Sequence, residues 1–340
     1  MLLLFIPIGI TVNLAEKIDK ILENEVPFGA VAQYYLDFTI YFANLLFPLF
    51  LFLSVIWFTS KLANNTEVIA FLSSGVSFSR FLRPYLIGAT IIAVVFFLIG
   101  MYVLPNSSKE YNEFKYEYIH QHRKTRETSN VFRQINDNDF IYVSSFDSKN
   151  KRAFNFTLEH FEANTLKYKI NASKIEFKEK DSSYRLTNYV KRSIGKHHDK
   201  IVRKIRKDTV FDFDLDDLAP VNYIAETLNN KELDAFIEKE KKRGSSYVSR
   251  YEVVKYKRWS IPISAFILTI IAVAVSAMKR RGGMGVNLAF GIALAFIFIF
   301  IDKIFSVMAD QSGFNPLLAV WLPNIVFGIL AVFLLNNAKR

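Results

Sequence analysis

A catalytic chain must bring together a nucleophile, an acid–base pair or a set of metal ligands, and the residues that could do so here are few. Five histidines are present. Glu117, His120 and His122 lie close together, and His197 and His198 are adjacent. None has the H-E-x-x-H spacing that sets two imidazoles on one helix face around zinc. The histidines read as solvated side chains, and no catalytic or metal site is expected. No cysteine occurs, so the fold rests on neither a disulfide nor a thiolate metal site. The phosphate-cradling loop G-x-x-x-x-G-K-[ST] is absent as well. No cofactor is implied, and an ATP-driven role would need a separate subunit.

The segment from Asn64 to Pro84 says more. Asn65 or Thr66 can cap a helix, and Glu67 in its first turn favours the helix dipole. Gly75 can end that helix, and Ser77 can cap the next one, which runs into the membrane. A short amphipathic helix near 65–75 is predicted on the cytoplasmic face. One reading makes it an interfacial connector. The other makes it a coupling helix that docks into a groove on a cytoplasmic ATPase.

The elements that must position this segment are membrane helices. Hydrophobic residues make up 51% of the 340, Phe alone numbering 33. No charge falls in 38–60, 84–108, 259–278, 282–301 or 311–338. Runs of about 20 such residues cross a hydrocarbon layer, and they are apolar all round rather than on one face. Met1 to Ala15 is uncharged but short, without the basic start or cleavage site of a signal peptide. It is expected to be the outer part of a first membrane helix whose beginning is missing, or else a re-entrant segment. With both ends inside, the short cytoplasmic segments hold Lys61, Arg80, Arg83, Lys279, Arg280, Arg281, Lys339 and Arg340 against Glu67. The short outer segments hold Lys17, Lys20 and Lys303 among more numerous acids. Basic residues are retained inside, so this orientation is favoured and the long insert lies outside. The net charge of +11 suits these topology signals and would also suit an anionic partner such as lipid headgroups.

Between the third and fourth helices the period changes to two. Strands are expected at 140–143, 153–158, 166–170, 174–178, 184–186, 190–194 and 209–213, with turns at Asp137-Asn138, Asp147-Ser148-Lys149-Asn150 and Asp181-Ser182-Ser183. This spacing suggests an antiparallel sandwich, jelly roll or open barrel. A helix follows from about Asn230 to Lys242. The expected fold is an α-helical membrane protein of six transmembrane helices, the first cut short, with an inserted all-β, jelly-roll-like periplasmic domain. Residues 1–105 hold helices one to three, 106–257 the β domain with flanking helical segments, and 258–340 helices four to six.

Three blocks resemble the LptF/LptG family of lipopolysaccharide export permeases. The first is Thr66-Glu67, Ser73-Ser74-Gly75-Val76-Ser77, Arg80 and Leu82-Arg83-Pro84. The second runs from Arg258 to Gly285, with Pro262 early in helix four and Lys279-Arg280-Arg281-Gly282-Gly283 before helix five. The third is Gly313 to Asn324, reading Gly-Phe-Asn-Pro-Leu-Leu-Ala-Val-Trp-Leu-Pro-Asn. Their order between the helices, and the layout of three helices, β domain and three helices, also match. Ile301-Asp302-Lys303-Ile304-Phe305 leans slightly to the LptG side. The resemblance implies one half of a heterodimeric permease in an ABC transporter, paired with a sibling LptF/LptG chain. It implies an LptB-like ATPase dimer beneath, an LptC-like bitopic protein, an LptA-like bridge and lipopolysaccharide as cargo, with no nucleic acid. Glu67, Ser74, Gly75, Arg80 and Arg83 would then couple to the ATPase. An open-seamed jelly roll could shield acyl chains, with Phe140, Tyr142, Phe154, Phe156, Tyr168 and Ile170 as lining candidates or simple core. Lys17 and Lys20 could meet lipid phosphates or anchor at the interface, and Asp302 could pair with Lys303. Another ABC-type lipid or lipoprotein permease, commonly built as one helix, a domain and three helices, is the first alternative. A non-transporting scaffold or sensor is the second.

Overall fold

Each uncharged run is helical over most of its described length, as the absence of water to satisfy backbone groups demands. The computed structural model describes residues 1–119, 129–147, 150–178, 181–195, 197–211, 213, 223–245, 247–277 and 283–338. His120, His122, the Lys279-Arg280-Arg281-Gly282 run, Lys339, Arg340, and Ser148-Lys149 of one predicted turn lie outside the described residues. The chain divides into two units. The first comprises Met1–Asn112, Glu226–Leu233 and Ser249–Arg340, and the second Glu113–Ala225 and Asp234–Val248.

In the first unit α1 (Leu2–Glu23) and α2 (Phe28–Asn64) are followed by the short α3 (Glu67–Ser73) and by α4 (Phe78–Leu98). The latter continues through a π-helical turn, Ile99–Val103, into α5 (Leu104–Phe114). After the inserted sheet come α6 (Ile224–Thr227), α7 (Asn230–Lys242), α8 (Val248–Ser276), α9 (Gly283–Gln311) and α10 (Pro316–Ala338). Spans Phe28–Asn64, Phe78–Ile119, Val248–Ser276, Met284–Gln311 and Pro316–Ala338 are long and apolar enough to cross a membrane. The 22-residue α1 adds a further helix of about 33 Å, uncharged through Ala15. The protein is multi-pass, with a sheet inserted between its helices.

Small residues decide how the helices pack. α8 buries Ser260, Ser264, Ala265, Thr269, Ala272 and Ser276 along its length, and small side chains let backbones approach closely within lipid. The hydroxyls of Ser264, Thr269 and Ser276 return to the helix's own backbone, as Thr269 Oγ1 does to Ala265 O at 2.7 Å, so these three cost no unsatisfied donor. α9 meets α2 at Gly291, where a Cβ would stand 2.2 Å from Ile56 Cδ1. Ile56, Phe52 and Ala295 share one core cluster there with Leu268, Ile271 and Phe327.

The second unit is an antiparallel sheet of β1 (Ser129–Gln134), β2 (Asp139–Asp147), β3 (Arg152–Glu162), β4 (Thr165–Lys178), β5 (Ser183–Ser193) and β6 (Lys200–Thr209). Strand order equals chain order. The predicted pieces 166–170 and 174–178 are one strand, β4, and 184–186 and 190–194 fall on one strand, β5. β1 and most of β6 carried no prediction. The reason for the split is a corner. Buried residues are Ile141 and Val143 then Phe146 on β2, Ala153 then Phe156 and Leu158 on β3. They are Ile170 and Ala172 then Ile175 on β4, Tyr184 and Leu186 then Tyr189 on β5. Alternation reverses once in each strand while all these side chains share one core.

The reversals line up. By register, Asn130, Ser144, Asn155, Ser173 and Asn188 stand in one transverse row across β1 to β5. Asn130, Asn155 and Asn188 hold φ of 52°, 51° and 53°, the left-handed region that Asn tolerates better than most side chains. Asn155 Nδ2 donates to Ser144 Oγ at 3.0 Å, and Ser144 Oγ donates to Phe154 O at 3.2 Å. Two strands on, Asn188 Nδ2 donates to Ser173 Oγ at 3.1 Å, and Ser173 Oγ donates to Thr187 O at 3.2 Å. The repeated device aims successive side chains as a bulge does and turns the sheet around its apolar interior.

Candidate functional site

The short helix α3 is held by its buried Val68 and by Phe71, whose ring lies 6.4 Å from that of Phe81 on α4. Val68, 1% exposed, packs in a cluster with Ala63, Phe78, Phe81, Leu82, Val273, Ala274, Ala277 and Ala338, which brings together the ends of α2, α8 and α10 and the start of α4. Ile69 (50% exposed), Phe71 (53%) and Leu72 (38%) face outward. The helix begins differently from the sequence expectation. Thr66 precedes it with φ of 62° and makes no side-chain cap; its hydroxyl donates to Asn65 O at 2.6 Å. Asn65 Nδ2 instead donates to Glu67 Oε1 at 3.0 Å, which fixes the carboxylate at the exposed start. Gly75, at φ of 84°, ends the turn in the left-handed conformation, beside Ser74, whose Oγ donates to Phe71 O. Ser77 caps α4 by accepting from Arg80 N at 3.4 Å. Glu67, Ser74, Gly75, Arg80 and Arg83 are all exposed. The arrangement exposes three apolar side chains on α3 with Glu67 at its start, and Arg80 and Arg83 on the first two turns of α4.

The sheet interior is the second candidate region. Of the six predicted lining residues, Phe156 (1% exposed) and Ile170 (8%) belong to the core, and Tyr168 packs against it. Phe140 and Phe154 are 40% and 37% exposed. Phe140 and Tyr142 alternate with the buried Ile141 and Val143, so they take the opposite face. There Tyr142 packs on Phe132 with centroids 4.4 Å apart, and Phe140 packs edge-on to Phe161 at 5.6 Å. Tyr168 stacks on His160 at 4.7 Å and lies beneath Lys191 Nζ at 4.1 Å. Burial pushes its phenol pKa up, with the Asp139 charge adding to the effect. Along the edge, Asp208 takes hydrogen bonds from Arg185 and Lys178 that lower its carboxyl to about 2.

The remaining predicted positions scatter. Lys17 Nζ lies 3.9 Å from Glu16, and Lys20 is exposed. Asp302 does not pair with Lys303, since adjacent helix residues project to different sides. Its partner is Lys257 of α8, with Nζ 2.7 Å from Oδ2, and Lys303 is exposed. Arg258 beside it donates to Asn230 Oδ1 at 2.6 Å and Leu228 O at 2.7 Å, tying the returning chain to α8. Neither tie was read from the sequence. The available signal was a basic pair just before one apolar run and an acid just after another. Among the described residues no His, Asp and Glu cluster could hold a metal ion.

Comparison with individually curated proteins returns no match. Comparison with known families matches residues 1–337 to the lipopolysaccharide export system permease LptF/LptG. The match runs through every helix and the whole sheet, so this chain belongs to the LptF/LptG family of lipopolysaccharide export permeases.

Proposed function

We propose that this protein is the permease half of an ABC transporter that lifts lipopolysaccharide out of the inner membrane and passes it to a periplasmic bridge. The family is a lipopolysaccharide export permease, and nucleotide hydrolysis falls to a separate LptB-like ATPase dimer. A sibling LptF/LptG chain completes the membrane pathway. An LptC-like protein and an LptA-like bridge receive the lipid. The charge bias of the short loops puts both chain ends in the cytoplasm and the sheet in the periplasm. Lys17 and Lys20 stand where lipid phosphates would pass, with Asp302 and Lys303 at the outer end of α9. Phe156, Tyr168 and Ile170 line the route for acyl chains, while Phe140, Tyr142 and Phe154 serve the outer face.

The observation that carries coupling is α3: Val68 is its one buried residue, Phe71 touches Phe81, and Ile69, Phe71 and Leu72 are exposed. Closure of the ATPase would push on this helix and move the four helix ends packed around Val68. Glu67→Lys should uncouple ATP hydrolysis from transport while leaving the sheet folded. The measurement is ATPase activity and lipid release from the complex purified in mild detergent. Normal transport by that variant removes the coupling role.

A further inference from the structure

The sheet is a single layer, and its concave apolar side needs a cover. The core cluster is built from β1 to β5, and five half-buried hydrophobics pack against it. Three of these, Ile135, Tyr168 and Phe177, come from the strands or the turn after β1. The other two are Phe211 and Phe213, just beyond the end of β6 at Thr209. Val210 between them and the strand is exposed. The two rings lie 5.0 Å apart. Phe211 stands 5.9 Å from Phe156 and 5.8 Å from Tyr184, and Phe213 stands 6.4 Å and 5.6 Å from the same two rings. Tyr184 Oη donates to Phe213 O at 2.8 Å.

Phe156 belongs to β3 and Tyr184 to β5. Beyond the edge strand, Phe211 and Phe213 therefore lay two phenyl rings across the inner face. The hold is light. The described anchors are ring contacts of half-buried side chains and one hydrogen bond. The strap follows β6, which is paired to β5 from Lys200 to Thr209 and leaves Ile201, Val202 and Ile205 exposed. Apolar burial is non-directional, so a saturated acyl chain laid over Phe156 and Tyr184 could replace both rings.

We infer that the Phe211–Phe213 strap is an internal stand-in for acyl chains: it seals the apolar interior when no lipid is present and yields to lipid tails that enter. This rests on the lipid-passage reading above. The strap keeps water off the core in the empty state and makes lipid entry a competition, so the sheet need not expose a large apolar surface between cargoes.

The test uses the full chain in lipopolysaccharide-containing membranes, with a photoreactive residue at Tyr168 reporting lipid adducts. The chain has no cysteine, so Phe211→Cys with Tyr184→Cys makes a tether that reductant reverses. Phe211→Ser with Phe213→Ser loosens the strap without a tether. Protease resistance of the sheet confirms folding of each. The expected result is adduct severalfold above the parent in the loosened chain, lost in the oxidised tether and regained on reduction. Equal adduct in oxidised, reduced and parent chains overturns the strap while lipid passage stands. A folded loosened chain with less adduct than the parent also overturns it, since the rings would then belong to the conduit. No adduct in any folded form overturns lipid passage and the strap together.

Discussion

Asp302→Leu removes the carboxylate that meets Lys257 across α8 and α9. The pair is 2.7 Å long, and its side chains are 27% and 30% exposed, neither open to water nor sealed. At this separation Coulomb attraction is about 6 kcal/mol at an effective dielectric of ~20 and about 1.5 kcal/mol in bulk water. Desolvation offsets much of the former. A charge-assisted hydrogen bond in this setting contributes about 2 kcal/mol net. For a unit of this size that is a fall in Tm of about 4–8 °C. The assay is thermal unfolding in detergent, followed by intrinsic fluorescence, of Lys257→Met, Asp302→Leu and the double variant. Each single change strands one half-buried charge, and the double change strands none. The double variant should therefore cost no more than either single change, a coupling of about 2 kcal/mol. If the single effects add to within about 0.5 kcal/mol, the two charges act independently and the reasoning fails.

Gly291→Val should force α9 away from α2, because its Cβ would stand 2.2 Å from Ile56 Cδ1. The expected cost is about 1–3 kcal/mol by thermal melting, partly relieved by Ile56→Ala. Asn155 has φ of 51°, so Asn155→Ala should destabilise the sheet by about 1–2 kcal/mol more than Asn155→Gly, which loses the same amide donor without backbone strain. Equal losses by denaturant unfolding would show that the amide alone matters. Asp208 titrates near 2 when folded against an ordinary 3.8. Its stabilising contribution is complete above 3.8 and lost as pH falls toward 2. Asp208→Asn should flatten that part of the pH–stability profile, and an unchanged acid limb would contradict the pairing.

The membrane helices were legible because nothing but a spanning helix tolerates such uncharged runs, and α3 was legible because Gly75 marks its end. The sheet was only half legible. A corner reverses alternation, so β4 read as two strands on either side of Ser173, and β5 as two around Asn188. β6 is exposed on both faces, and its Lys200-Ile201-Val202-Arg203-Lys204-Ile205 run follows no two-residue period. Of the stretch 209–213, read as a strand, Thr209 ends β6, Phe211 and Phe213 lie on the inner face, and Asp212 is outside the described residues. Phe140 and Phe154 look like core by residue type, yet Ile141 and Ala153 take the inner positions. Type alone cannot choose between neighbours when both are apolar. Long-range ties such as Lys257 to Asp302 leave no local pattern at all.

Strand order in the sheet equals chain order, with connections of two to six residues, and this governs how the sheet is made. Each pairing closes a short loop, so the entropy lost at each step is small and contact order is low. No strand waits for a distant partner. β2 and β3 can zip as soon as both exist, with Ser144 and Asn155 setting the frame, and each later strand adds to a finished edge. The sheet can thus be complete while the ribosome is still producing α8, and the last three membrane helices are free to assemble with α2 without unfolded chain between them.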